Sequence, residues 1–434
     1  MNNLKISAQN SINYLLIFTA FMSGWIYSAN TMFELRFSYI AILIVLLYWL
    51  MKSKMISINN VFIFIFFIII LTSFYNVFQG NDTAVLVSKQ MMGILLNAVV
   101  FYLLLKFNKF EVGKLFNIYL NIALVVGAIG IFQEVSFLIH FERGYDFFNG
   151  IIPGWRLATG NSFLLRTNSI MREPSGYAVL MMPAFFVSLT SIFGNSVRFI
   201  SNWKSLAIIL SVILTFSTVG FFGVGISFLL LLINNRNVKY LFISIVIILV
   251  SSFLIYNSIS EVKRRIDDSI GFISGQRSLS VGAINVSSFA FFSNAMVAFK
   301  SFSVNPIFGS GLGSHELSYH KYIGNIIGGD SIISEVSVED ANSLFLRLLS
   351  ETGLLGISLV FIFLIRFYIS KNKDNDNYSW AINNGILVLF LLHLMRVGHY
   401  FEEGLFFFFW MYYFSKKNLF VRSKQIMLDQ ELEL

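Results

Sequence analysis

Apolar stretches long enough to cross a lipid bilayer recur along almost the whole chain, and no other feature restricts its fold so strongly. A helix needs about 20 predominantly apolar residues to traverse the hydrocarbon core. Over the 434 residues that rule marks twelve spans, near 11–29, 37–52, 58–78, 87–106, 115–139, 174–193, 203–217, 219–234, 238–257, 348–369, 379–396 and 400–415. The pair 203–234 is almost continuous and turns around Ser217, Thr218, Val219 and Gly220, and the last span is short but strongly aromatic. With 56% hydrophobic residues, 12% charged residues and a mean hydropathy of +0.73, a soluble domain would aggregate, so lipid is the solvent. The expected fold class is an all-α polytopic membrane protein, a single integral membrane domain over 1–434. The first segment has only Lys5 ahead of its apolar stretch, and it reads as a retained helix rather than a signal peptide.

The formal charge of +8 and the pI near 9.4 do not point to nucleic acid, because much of the excess sits in short loops. With the N-terminus inside, the inside loops hold Lys52, Lys54, Lys106, Lys109, Lys114, Arg198, Lys204, Arg236, Lys239, Arg366, Lys371 and Lys373, whereas short outside loops hold only Arg36, Lys89 and Arg396. That asymmetry predicts cytoplasmic termini, with 416–434 as a cytoplasmic tail, and two external loops at 140–173 and 258–347. Long loops are exempt from the charge rule, so their basic residues do not overturn it. There is no cysteine, which excludes disulfides and thiolate chemistry but leaves the compartment open. No repeat of 20–50 residues and no inverted repeat is visible.

Charge is otherwise gathered in the larger loop, which carries Arg264, Arg265, Asp268, Arg277, His315, Glu316, His320, Asp330, Glu335, Glu339 and Asp340 among others. Concentrated charge in a membrane protein marks where a polar substrate is handled. Within that loop Val286, Phe289, Phe292, Met296, Phe299 and Phe302 recur at spacings of three and four, which predicts an amphipathic helix, either lying on the membrane surface or packed on the membrane domain.

Three segments carry candidate chemistry. The first external loop ends with Arg166, Arg172, Glu173 and Pro174. Pro174 suits the first turn of a helix, and two guanidinium forks within seven residues match phosphate or pyrophosphate; snorkelling arginines at a helix cap are the structural alternative. The second is Asn305-Pro306-Ile307-Phe308-Gly309-Ser310-Gly311-Leu312-Gly313-Ser314-His315, whose alternating glycines allow either close approach to a ligand or a tight structural turn. The third is Glu339-Asp340-Ala341-Asn342-Ser343, leading into the tenth span. Its carboxylates suit a general base, and Asp340 or Asn342 also suits a helix N-cap. Glu351, inside that span, is expected to pair with Arg347 one turn earlier. His393, Arg396, His399, Glu402 and Glu403 near the outside end of the last hairpin either complete the site or form an interfacial network, and the second is the preferred reading. No histidine spacing suggests a metal site.

Arg-x-x-Ser-Ile-x-x-Glu-Pro-Ser at 166–175, Asn-Pro-Ile-Phe-Gly-x-Gly-x-Gly-Ser at 305–314 and Asn-Ser-x-x-x-x-Leu-x-x-Glu-x-Gly-Leu-Leu-Gly at 342–356 together resemble the O-antigen polymerase (Wzy) and O-antigen ligase superfamily. The stretch 214–220 is similar to that group's Leu-Ser-x-Ser-Arg-x-Gly turn, with Thr218 where arginine often stands. The resemblance implies a GT-C-like membrane glycosyltransferase that joins undecaprenyl-pyrophosphate-linked oligosaccharide repeats into an O-antigen or capsule, outside the plasma membrane and without a cofactor. It implies Arg166, Arg172, Glu173, Arg277 and Asn342 as substrate-binding residues and Asp340, Glu339 or His315 as the base. The lipid bilayer, a chain-length regulator and a flippase are the expected companions. Ala341 stands before Asn342 where ligases typically carry histidine, which leans away from a ligase. The alternatives are that ligase activity, or a lipid-linked oligosaccharide flippase or other transporter. The absence of a nucleotide-binding motif fits a donor activated by lipid pyrophosphate.

Overall fold

The computed structural model describes residues 2–28, 35–52, 59–161, 164–193, 198–235, 256–257, 260–280, 283–327, 335–371, 376–402 and 404–432. The ninth expected span, 238–257, lies outside the described residues except at its end, as do Asp330 and Glu403. The described residues are mostly helical, with almost no strand. In chain order the helices are α1 (Asn2–Phe18), α2 (Phe37–Lys52), α3 (Asn60–Phe78), α4 (Ala84–Phe107), α5 (Val112–Leu138), α6 (Glu142–Tyr145), α7 (Pro174–Phe193), α8 (Asn202–Ile213), α9 (Thr218–Asn235), α10 (Ser260–Ile273), α11 (Val286–Val304), α12 (His315–Ile327), α13 (Leu344–Glu351), α14 (Gly353–Phe367), α15 (Asn377–Arg396) and α16 (Leu405–Leu432). Two short antiparallel hairpins interrupt them, β1 (Ile26–Ser28) with β2 (Leu35–Arg36), and β3 (Ala158–Asn161) with β4 (Leu164–Arg166).

Among the described residues, α3, α4, α5, α7 and α15 are long and apolar enough to cross a membrane, and α2, α8, α14 and 218–233 are shorter apolar helices. This is a helical membrane protein. The helices depart from the expected spans in specific ways. The first gives way to a 3₁₀ turn at Thr19–Phe21. Twelve-residue α8 reaches only about 18 Å, short of the hydrocarbon thickness. The tenth breaks at Thr352, where Gly353 takes φ +59°. The last helix runs on to Leu432, through the expected tail.

Helix α7 is the axis of the bundle. Its apolar window is 89% buried, against 17% for peripheral α3, because α5, α8, α9 and α15 surround it. Pro183 lies within it and cannot donate a backbone hydrogen bond. Tyr119 of α5 compensates there: its hydroxyl donates to the Leu180 carbonyl at 2.6 Å and accepts from the Ala184 amide at 3.3 Å. Gly385 of α15 lets that helix approach, since a Cβ there would sit 2.9 Å from the Pro183 carbonyl oxygen.

The segment expected to be an amphipathic helix forms as α11, but it packs against α12 and α13 with Phe289, Val297 and Ala298 buried. Of the expected apolar stripe only Phe289 is buried, Phe292 and Phe302 are half-buried, and Val286, Met296 and Phe299 remain exposed, so packing covers one side of the helix and leaves an apolar strip uncovered.

Candidate functional site

The loop into α7 is built from buried polar contacts. Ser169 takes φ +52°; its amide donates to Gln133 Oε1 at 2.7 Å, its hydroxyl donates to the Val126 carbonyl at 2.7 Å, and its own carbonyl accepts from the Trp155 indole at 2.8 Å. The Thr167 amide donates to the Leu214 carbonyl, which ties this loop to the turn before α9. Arg172 and Glu173 then emerge exposed at the start of α7. The Arg172 amide reaches Ser23 Oγ at 3.4 Å, beside Gly24. Arg166 is placed on β4, half-buried and opposite Ala158.

The turn before α13 holds the second component. Ala341 and Asn342 are both left-handed, with φ of 56° and 55°, and the Asn342 amide donates to Asp340 Oδ1 at 3.0 Å. Ser343, not Asp340 or Asn342, caps α13: its hydroxyl accepts from the Leu346 amide at 3.3 Å and donates to the Leu394 carbonyl at 2.6 Å. Asp340 is therefore free of the capping role and keeps its second carboxylate oxygen for other contacts. Glu339 is exposed beside it.

The connection between α15 and α16 supplies the third. His399 lies between two carboxylates, with Nε2 3.5 Å from Asp340 Oδ2 and Nδ1 3.5 Å from Glu402 Oε1. Glu402 is in turn ion-paired to Arg36 of β2. Burial alone would raise the Glu402 pKa, but the charges of Arg36, His399 and Arg172 outweigh it and hold the carboxyl below its usual range. The Gly398 backbone presses on Asp340 so closely that a Cβ would fall 1.5 Å from the Asp340 carbonyl oxygen. Arg396, at the end of α15, donates to the Ser287 carbonyl at 3.2 Å and lies over the Phe291 ring. It is within electrostatic reach of Arg265, Asp340 and Glu173. Arg265 of α10 donates to Thr218 Oγ1 at 3.3 Å, so an arginine side chain reaches this turn from another element.

One polar group thus gathers Arg36, Arg172, Glu173, Arg265, Asp340, Arg396, His399 and Glu402 at one end of the bundle. Of the residues singled out from sequence, Arg172, Glu173 and Asp340 converge, with Asn342 and Glu339 beside Asp340. Two others go elsewhere. Arg277 is committed to an ion pair with Asp268, whose other oxygen accepts the Asn285 amide at 2.6 Å, so its expected role as a third phosphate ligand is not supported by its partner. His315 is fully buried, with Nε2 3.0 Å from Asn294 Oδ1, and burial followed by the Arg347 charge pushes its imidazole down to about 3. Arg396, His399 and Glu402, which the sequence presents as an interfacial network or as a completion of the site, supply three of the eight members of this group.

The glycine run is a structural turn. Gly309, Gly311 and Gly313 have φ of 65°, 111° and 95°. The Ser310 and Gly311 amides donate to the Ser350 and Glu351 carbonyls at 2.9 Å, covering the break between α13 and α14. Side chains at these positions would collide with Glu351, Asp82 and Gln90 respectively.

Among the described residues, no group of three metal-ligating side chains converges. The group offers instead a histidine with a carboxylate oxygen 3.5 Å from each ring nitrogen, and arginines able to hold an anion. The chain matches no protein-family model and no curated protein.

Proposed function

We propose that the protein is a membrane glycosyltransferase that polymerises undecaprenyl-pyrophosphate-linked oligosaccharide repeats into a surface polysaccharide, an O-antigen or a capsule. The observation that carries this reading is the placement of His399 against Asp340 within a nest of arginines. A glycosyl transfer from lipid pyrophosphate needs those two things side by side: a proton acceptor for the incoming hydroxyl and cations for the departing pyrophosphate. In this reading Arg172, Arg265 and Arg396 hold the donor pyrophosphate. The acceptor hydroxyl attacks the anomeric carbon, the bond from that carbon to the phosphate oxygen breaks, and the hydroxyl proton passes to the Asp340–His399 pair. Undecaprenyl pyrophosphate leaves with the bonding electrons. Glu402, anchored by Arg36, positions His399. Arg166 lies on the same loop as Arg172 and is assigned to the donor's sugar or second phosphate.

The accompanying architecture is twelve spans in a GT-C-like arrangement, with both termini cytoplasmic and the polar group on the outer face of the plasma membrane. A substrate with a sugar in water and a tail in lipid meets such a site without leaving the bilayer. The ligase and flippase readings make different products. Glycan-length analysis of a deletion strain complemented with Arg166→Ala, Arg172→Ala or His399→Ala should show loss of long chains, with single lipid-linked units accumulating outside. Accumulation on the cytoplasmic face instead would establish the flippase reading and overturn this one.

A further inference from the structure

Helix α10 has two faces of opposite character. Its rear face is fastened to the protein. Asp268 is buried and accepts the Asn285 amide, Ser269 meets Ser288 at 3.3 Å between hydroxyls, the Phe272 and Phe292 ring centres lie 4.6 Å apart at a tilt of 43°, and Arg265 reaches Thr218. Ile266 lies two residues from Asp268, about 200° around the helix, and so points the other way. Ile266, Ile270 and Ile273, spaced four and three apart, form one stripe whose members are 39%, 60% and 74% exposed. Exposure rises along the stripe toward the C-terminal end of the helix, and nothing in the described chain covers it.

The surroundings identify the occupant. The apolar run 238–257 ends three positions before Ser260, so the helix start is tethered within about 10 Å of that run's end. Tyr256 donates to Asp267 Oδ1 at 2.7 Å, and Lys263, exposed at the edge of the stripe, lies over the Tyr256 ring. An aromatic with a polar tip beside a lysine free to extend is the side-chain equipment of a bilayer interface. Three isoleucines are too few to supply the roughly 1,200 Å² of a stable protein interface, whereas an interfacial helix needs only such a stripe dipping below the headgroups. From this we infer that α10 is an interfacial membrane helix, seated with Ile266, Ile270 and Ile273 in the acyl boundary and Lys263 at the headgroup phosphates. This assignment does not rest on the proposed activity.

The chain contains no cysteine, so single cysteines report cleanly. Ile266→Cys, Ile270→Cys, Ile273→Cys and, on the other side, Arg264→Cys would each carry a nitroxide on the full-length protein in phospholipid nanodiscs. Collision with oxygen, which enriches in lipid, is compared with collision with a water-soluble nickel chelate. The three isoleucine sites should have an oxygen-to-nickel ratio severalfold above that of Arg264→Cys, rising from 266 to 273. Equal ratios at all four sites would place the stripe in water, and shielding from both reagents would place it under protein, including a second copy; either result overturns the assignment.

Discussion

The Tyr400 hydroxyl donates to Glu351 Oε2 at 2.7 Å while Arg347 Nε donates to Glu351 Oε1 at 2.9 Å. Arg347 also lies 4.3 Å from the centre of the Tyr400 ring and donates to the Gly398 carbonyl at 3.2 Å. All three side chains are buried or nearly so. A fully satisfied buried network of this kind fixes one conformation. Here it fastens the connection that carries His399 and Glu402 to α13, whose preceding turn carries Asp340. The ion pair expected from the spacing of Arg347 and Glu351 is therefore present, and it positions the candidate site.

Removing one member should be costly. Arg347→Met or Glu351→Leu leaves an uncompensated buried charge and should destabilise the protein by about 3–5 kcal/mol. Tyr400→Phe removes one hydrogen bond to a charged group, a loss of about 1.5–3 kcal/mol. Thermal unfolding in detergent should rank the three variants in that order.

Gly398 should tolerate no side chain. Gly398→Ala must move the connection away from Asp340, separating Asp340 from His399. Overpacking of this kind costs about 1–3 kcal/mol, so the variant should still insert and purify while losing glycan polymerisation. Normal chain length in a Gly398→Ala strain would show that the Asp340–His399 contact is dispensable.

Much of this was legible in the sequence. The helical membrane architecture followed from apolar run length, and the Arg347–Glu351 pair from helical spacing. Glu173 at the start of α7 followed from Pro174, and its carboxylate accepts from Ser175 at 3.1 Å. The centre of the site was not legible, because its contacts join residues distant in sequence: Asp340 with His399, Glu402 with Arg36, Arg265 with Thr218. A signal did exist in Arg396, His399 and Glu402, ionisable residues crowded at a span end where charge is expensive. The break at Thr352 was also missed, although Ser350, Glu351, Thr352 and Gly353 interrupt the apolar run there, because run length alone does not report a left-handed glycine. Nor could the periodicity of α11 show which of its apolar residues are covered: Phe289 is buried while Val286, Met296 and Phe299 are not.

Two buried groups should give stability a pH dependence of opposite sign. At Asp82, in the turn between α3 and α4, burial outweighs the Thr83 amide and, with the Glu351 charge adding to it, pushes the carboxyl from 3.8 up to about 7. The folded state then holds a proton that the unfolded chain has lost, so this contribution weakens the fold as pH rises from about 4 to 7, by no more than about 4 kcal/mol. His315 behaves conversely. Its folded value lies below the ordinary 6.5, so stability falls as pH drops from 6.5 toward 3. Compared with wild type, Asp82→Asn should gain thermal stability at pH 7 relative to pH 4, and His315→Gln should lose less on acidification.

The central claim is that Asp340 and His399 take the proton from an acceptor hydroxyl while the arginines hold the leaving pyrophosphate. Its most direct measurement is turnover of purified protein in nanodiscs supplied with a synthetic undecaprenyl-pyrophosphate-linked repeat, following the glycan ladder and free undecaprenyl pyrophosphate together. The account predicts a ladder with one lipid pyrophosphate released per linkage, slowed about 10²–10⁴-fold by Asp340→Asn or His399→Gln. A ladder that forms at the wild-type rate in both variants would contradict it.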